Sequence, residues 1–219
     1  MAHGVIFDMD GVLVASGTAH AASWRLVAKK HGLSMPDEFF RDTFGRPSRD
    51  IIRQVWNREL SDAEERAIDD EKERVYRDLV TGMVPLSIGA REALHALRSA
   101  GYTLAVGTSG PPENLELVLR ETRIGDLFAA TVHGFDVRHG KPAPDIFLLA
   151  AERARLAPRN CVVIEDAPVG LQGAQAAGMK TIGYAGTHPP ERLAEHGADA
   201  TIERFAELTP ALVERVLKT

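Results

Sequence analysis

The chain has 219 residues, enough for one sizeable domain or for a core with a smaller appendage. Its 44% apolar and 26% charged content is ordinary for a globular protein, and a net charge of −5 offers no basic stripe for a nucleic-acid backbone. No run approaches the roughly 18 uncharged apolar residues of a membrane-spanning helix, and the single Cys161 excludes an internal disulfide, which points to the reducing cytoplasm.

Val5-Ile6-Phe7 predicts a strand that leads through Asp8-Met9-Asp10-Gly11 into a second apolar run, Val12-Leu13-Val14. The strand begins so near the N-terminus that no signal peptide is expected. Residues 17–80 hold no convincing strand and read as helices. One runs from Thr18, as N-cap, to about His31 and is stopped by Gly32. Another covers Pro47 to Asn57, with Ile51, Ile52, Val55 and Trp56 on one side. A third opens at the capping box Ser61-Asp62-Ala63-Glu64 and runs to about Leu79. From Pro85 the pattern alternates. Helices are expected at 89–99 (Ala93, Leu94 and Leu97 inward), 113–121, 146–154 and 170–177, and strands at 103–106, 130–132, 162–164 and 181–184. Uninterrupted apolar strands separated by helices predict a parallel sheet covered on both faces, with Cys161 as core filler. The expected architecture is α/β: a core of 1–14 and 84–219, with a helical cap inserted at 15–83.

Each core strand ends in candidate chemistry. Asp8 and Asp10, at i and i+2 of a strand end, project the same way. Like charges that close raise one another's pKa unless a cation lies between them. Gly11 permits a sharp turn or the approach of a ligand. The strand at 103–106 ends in Gly107-Thr108-Ser109-Gly110, whose hydroxyl and loop amides suit an anionic oxygen. Gly140-Lys141-Pro142 follows the third strand, and the strand at 162–164 ends in Glu165-Asp166. Together they make a phosphate-plus-magnesium arrangement: carboxylates for a hard divalent cation, a lysine for the remaining charge. Singly, each has a plainer reading: Thr108 as a strand-end hydroxyl, Lys141 as a solvated loop charge, Glu165-Asp166 as a helix cap. Gly170, Gly173 and Gly178 have the wrong spacing for a dinucleotide site and read as helix–sheet packing, and Pro142 removes a P-loop reading of Gly140-Lys141.

In order and spacing, Asp8-Met9-Asp10-Gly11, Thr108, Lys141-Pro142 and Glu165-Asp166 resemble the four motifs of the haloacid dehalogenase superfamily. The stretches 8–12, 141–147 and 165–179 resemble its phosphatase and β-phosphoglucomutase branch, which has a Rossmann-like core and a helical cap after the first motif. The resemblance implies that Asp8 is the nucleophile forming an aspartyl-phosphate, and that Asp10 protonates the leaving oxygen and later activates water. It further implies that Asp8, the Asp10 backbone carbonyl and Asp166 ligate Mg²⁺ with help from Glu165. Thr108 and Lys141 then serve catalysis, and Ser109 and Gly110 bind substrate. An ionised carboxylate needs no activating base; its difficulty is repulsion from phosphate, which Mg²⁺ and Lys141 relieve. The presence of Asp10 argues against a true dehalogenase, because displacing halide from carbon needs no acid. A non-catalytic regulator on this fold would be signalled by loss of Asp8 or Asp10, and both are present.

Three positions in the insert each carry two readings. Lys72 falls in the apolar row Ile68, Val75, Leu79, so it either snorkels to water or reaches the cleft; with Tyr76 it resembles a Lys-x-x-x-Tyr pattern of related caps. His20 shares a row with Trp24 and Val27 as a core histidine, or stands beside the active site as in related mutases. Arg49 is a surface charge, or resembles the cap arginine that grips a substrate phosphate. These three favour a mutase. Against it, Gly110-Pro111-Pro112 replaces a polar run that grips the distal phosphate, and two prolines remove two backbone donors. Ala15 also replaces the Asp usual before Ser16. The expected function is therefore Mg²⁺-dependent hydrolysis of a small phosphorylated metabolite, with neither nucleic acid nor membrane as partner and a β-phosphoglucomutase-type activity as the alternative.

Overall fold

The computed structural model describes residues 2–43 and 46–219. Among them, six strands form one fully parallel sheet in the order β3-β2-β1-β4-β5-β6. The strands are β1 Gly4–Phe7, β2 Thr103–Gly107, β3 Ala130–Val132, β4 Cys161–Glu165, β5 Lys180–Tyr184 and β6 Ala200–Ile202. Alternate residues serve opposite faces, as the pleat requires. Val5, Phe7, Leu104, Val106, Val162 and Ile164 face one apolar cluster. It is covered by helices α5 Ala90–Ser99, α6 Pro112–Thr122 and α10 Pro210–Leu217. Ile6, Ala105, Cys161 and Val163 face the other cluster, under α7 Asp145–Arg153 and α8 Pro168–Ala176. Burial on both faces is why these strands carry no polar alternation. A fully buried Phe7 or Leu94 contributes about 1.5–3 kcal/mol each.

The strand order reverses direction at β1, whose neighbours are β2 and β4. In open α/β sheets ligands bind beyond the carboxyl ends of the strands at such a point. Between β1 and the rest of the sheet the chain inserts α1 Gly17–Lys30, α2 Asp37–Thr43, α3 Ser48–Trp56 and α4 Asp62–Val80. These helices pack around an apolar cluster of their own, including Trp24, Val27, Ile51, Ile52, Trp56 and Ile68. The helix opening at Ser61 carries the full capping box with Glu64.

Four expectations change. The first inserted helix is capped at Ser16, not Thr18, and the Ser16 hydroxyl makes no capping bond because it is used elsewhere. Asp10 lies past the end of β1, in a turn bridged to Val14, so strand alternation does not set its direction. The sequence reading also omits α2, and it omits the C-terminal β6, α10 and α9 Pro190–Glu195. Finally, the three glycines divide: Gly170 of α8 packs against the end of β4, as expected, whereas Gly173 and Gly178 do other work. Gly178 takes φ 71° just past α8, and Gly173 packs on the loop carbonyl of Ala143. A Cβ on Gly170 would come within 1.8 Å of Glu165 Oε1.

Candidate active site

Phe7 pairs with Val106 on one side and Ile164 on the other. That register brings Asp8, Thr108, Glu165 and Asp166 to one edge of the sheet, all buried. Lys141, also buried, reaches the same point from the loop before α7. Its Nζ donates to Asp8 Oδ1 and to Glu165 Oε1, both at 2.6 Å. Such short charge-assisted bonds are the strong kind.

One oxygen from each of Asp8, Glu165 and Asp166 lies within 4.8 Å of the others. Oδ2 of Asp166 is buried with no hydrogen-bond partner, a costly state for a carboxylate. With all three acids ionised, a single lysine leaves two negative charges uncompensated. Burial, opposed by Lys141 and reinforced by Glu165, pushes the Asp8 carboxyl up to about 7. Burial with Glu165 and Asp8 raises Asp166 well above the ordinary range. A divalent cation with oxygen ligands would remove this strain, so the residues fit the metal that the motifs imply. Gly11 makes room: at φ 80° it has no Cβ to place 1.9 Å from Asp166 Oδ2. The Asp10 side chain is not one of the three, which leaves only its backbone carbonyl for a ligand role.

The Asp10 carboxylate instead faces the insert. Ser16 Oγ donates to its Oδ1 at 2.7 Å and His20 Nε2 meets the same oxygen at 3.0 Å, with the Tyr76 hydroxyl at 3.4 Å. All three fall on Oδ1 and leave Oδ2 for the cleft, where a Cβ on Gly110 would lie 3.6 Å from it. The His20 ring stacks on Tyr76 at 3.9 Å, and its Nδ1 lies 2.8 Å from Lys72 Nζ. An ammonium only donates, so Nδ1 accepts and Nε2 carries the hydrogen offered to Asp10. Lys72 Nζ also donates to Glu73 Oε1 at 2.7 Å. Burial acts to raise the Asp10 carboxyl, but His20, Ser16 and Lys72 outweigh it and hold it below its ordinary value.

Between the sheet edge and the inserted helices lies a cleft of about 290 Å³, a size suited to a small ligand. Thr108, Ser109 and Gly110 line its floor. Thr108 Oγ1 accepts from the Gly110 amide at 3.0 Å, so its own hydrogen is left to offer to an anion. His20 and Lys72 both line the cleft, and Lys72 does not snorkel: it is 3% exposed. Arg49 borders the cleft too, but its guanidinium pairs with Glu65 and Asp62 of α4. Sequence reasoning missed Ser16, Glu73 and Asn114. An N-cap hydroxyl gives a weak signal for Ser16, and nothing local distinguishes Glu73 or Asn114.

The haloacid dehalogenase-like hydrolase family matches residues 2–178. A phosphorylated carbohydrates phosphatase of Thermotoga maritima is 33% identical over 206 residues, covering 91% of this chain and 93% of that protein. A beta-phosphoglucomutase of Bacillus subtilis is 27% identical over 216 residues, covering 95% of this chain and 92% of the relative. The crystal structure of a HAD hydrolase, family IA, variant 3, from Entamoeba histolytica is similar with TM-score 0.92 and 27% identity, over 99% of this chain and 100% of that one.

Proposed function

The chain belongs to the haloacid dehalogenase-like hydrolases, and from that premise we propose that it is a Mg²⁺-dependent phosphatase acting on a small phosphorylated metabolite, a sugar phosphate or similar. Residues 15–83 act as its cap. Asp8 attacks phosphorus while the bond to the leaving oxygen breaks, and Asp10 gives that oxygen a proton. Water then attacks the phosphoryl group on Asp8, passes its proton to Asp10, and releases inorganic phosphate. Lys141 offsets charge on the transferred oxygens, and Thr108 and the loop at 109–110 cradle them. Asp8, Asp166, the Asp10 carbonyl and Glu165 would hold Mg²⁺, which supplies charge neutralisation for a dianion approaching a carboxylate.

One observation carries the reading: Asp8 is gripped from the core by Lys141, while Asp10 is gripped from the insert by His20. Without a cation the two carboxyls shift against these roles, Asp8 up and Asp10 down, so the roles rest on geometry. A cation among Asp8, Glu165 and Asp166 would return Asp8 to its ionised form, and Asp10 turns its Oδ2 to the cleft beside Gly110. The test is hydrolysis of a panel of phosphorylated sugars and small acids with Mg²⁺. Phosphate release from none of them overturns it.

The mutase alternative draws support from His20 and Lys72 beside Asp10. It needs a grip on a second phosphate, however. Of the grips that the sequence singles out, Arg49 is neutralised by Glu65 and Asp62, Lys72 is bound to His20 and Glu73, and Pro111 offers no donor; Arg46 is a further cation lining the cleft. Hydrolysis is the better supported activity.

A further inference from the structure

Asn114 stands in the first turns of α6, just past the phosphate-cradling loop, and is fully buried. Its Nδ2 donates to Glu73 Oε2 at 2.7 Å, and its Oδ1 accepts from Arg77 Nη1 at 2.9 Å. Both partners belong to α4 of the insert. A carboxylate only accepts and a guanidinium only donates, so the amide can sit only one way round. Glu73 uses its other oxygen on Lys72, Lys72 meets His20, and His20 meets Asp10. The row begins at a core helix, passes through α4 and α1, and ends on the proton carrier beside β1. Every donor and acceptor in it is fixed by the one before.

We propose that Asn114 is a positioning residue: by fastening Glu73 and Arg77 of the insert to the core, it holds the Lys72–His20 pair against Asp10, so that proton delivery to the leaving oxygen depends on this buried contact. The proposal rests on the phosphatase reading. A loosened Glu73 lets Lys72 follow it, and His20 Nδ1 then loses the donor that dictates its tautomer. Oδ1 of Asp10 keeps Ser16 and the longer contact from Tyr76 but loses its directed N–H.

A merely structural role and this one differ in which substrates suffer. An alkyl phosphate such as a hexitol phosphate needs its leaving oxygen protonated, whereas p-nitrophenolate departs without a proton. Asn114→Leu should therefore lower kcat/KM on the hexitol phosphate at least about tenfold further than on p-nitrophenyl phosphate, within the range of general acid catalysis. Equal losses on the two esters overturn the proposal. Nitrogen shifts of the His20 ring give a second readout that needs no turnover. The wild type should show the Nε2–H tautomer and Asn114→Leu a mixture; an unchanged tautomer overturns the proposal. If the wild type hydrolyses neither ester, the phosphatase reading fails and the tautomer measurement still decides this one. Where Asn114→Leu does not fold, the pair Asn114→Asp with Glu73→Gln exchanges the groups, so that the amide donates to the carboxylate and Arg77 keeps its acceptor. That pair should recover the alkyl-ester activity that Asn114→Asp alone loses, and failure to recover it in a folded protein counts against the proposal.

Discussion

Asp8 and Asp10 leave the same strand end two residues apart, yet Lys141 holds the first at 2.6 Å from the core and His20 holds the second at 3.0 Å from the insert. The two carboxyls shift in opposite directions: burial, with Glu165, raises Asp8 despite Lys141, whereas His20, Ser16 and Lys72 lower Asp10 despite its burial. The division also means that the two carboxylates are exposed to different experiments.

Asp8→Asn keeps the shape of the side chain and removes its charge. Turnover should fall by several orders of magnitude, as for other essential nucleophiles, while binding of inorganic phosphate persists. Steady-state kinetics and calorimetric titration check the two halves. Near-wild-type turnover removes Asp8 from its role.

Metal removal should abolish activity and Mg²⁺ should restore it, with Ca²⁺ inhibitory because it prefers more ligands and looser geometry. The glycine beside Glu165 gives a finer test. A Cβ at position 170 would meet Glu165 Oε1 at 1.8 Å, so Gly170→Ala must displace that carboxylate. The expected outcome is at least about tenfold weaker Mg²⁺ affinity, the scale of disturbing a metal's outer support, with the far-UV spectrum unchanged. Unaltered affinity would show that Glu165 does not assist the ion.

Stability should respond to pH in a sense set by Asp8. Its folded pKa lies at about 7 against an ordinary value of 3.8. Between those values the folded state binds more protons than the unfolded chain, so stability falls as pH rises. The contribution is complete below the ordinary pKa and lost as pH passes about 7. In EDTA, the thermal midpoint should drop between pH 5 and pH 8. Mg²⁺ should reverse the trend, because it binds the ionised site of the folded state only. A midpoint that rises with pH in EDTA contradicts the uncompensated acidic site.

The sheet was legible because its strands are buried on both faces, which writes Val5-Ile6-Phe7 and Val162-Val163-Ile164 as unbroken apolar runs. Asp8, Thr108 and Glu165-Asp166 were legible because each follows or ends a strand, where the register of Phe7 with Val106 and Ile164 needs only a parallel sheet; Lys141, in the loop before α7, was legible through the family resemblance. Two of the three elements missed at the C-terminus are short: Ala200–Ile202 has three residues and Pro190–Glu195 six, too few for a period to emerge. The third, Pro210–Leu217, has eight, with Thr209 as cap and Val213 and Val216 inward, and was readable. In the insert, the fate of Lys72 depended on Glu73, His20 and Asn114, the last of them 41 positions from Glu73. No local pattern encodes a pairing that the packing of α4 on α6 creates. Arg49 was ambiguous for the same reason, because its partners Glu65 and Asp62 come from a helix it meets only in the folded chain.

The choice of phosphoryl acceptor separates the two candidate activities. A mutase must shield the phosphoryl group on Asp8 from water until a sugar hydroxyl arrives, and it must hold both ends of a bisphosphate. Arg49 stands at the cleft but is paired with two carboxylates, so a second phosphate there would have to displace Glu65, which is nearly buried and also bound by Arg53 at 2.6 Å. On the core side, Pro111 and Pro112 present no N–H. Water is then the acceptor that meets least resistance. For every sugar phosphate tested, release of inorganic phosphate should outrun isomerisation, and Arg49→Ala should change KM for a monophosphate by less than about threefold, since a paired exposed arginine has little attraction left to give. Conversion of β-glucose 1-phosphate to glucose 6-phosphate faster than any hydrolysis, with a requirement for a bisphosphate primer, would decide for the mutase.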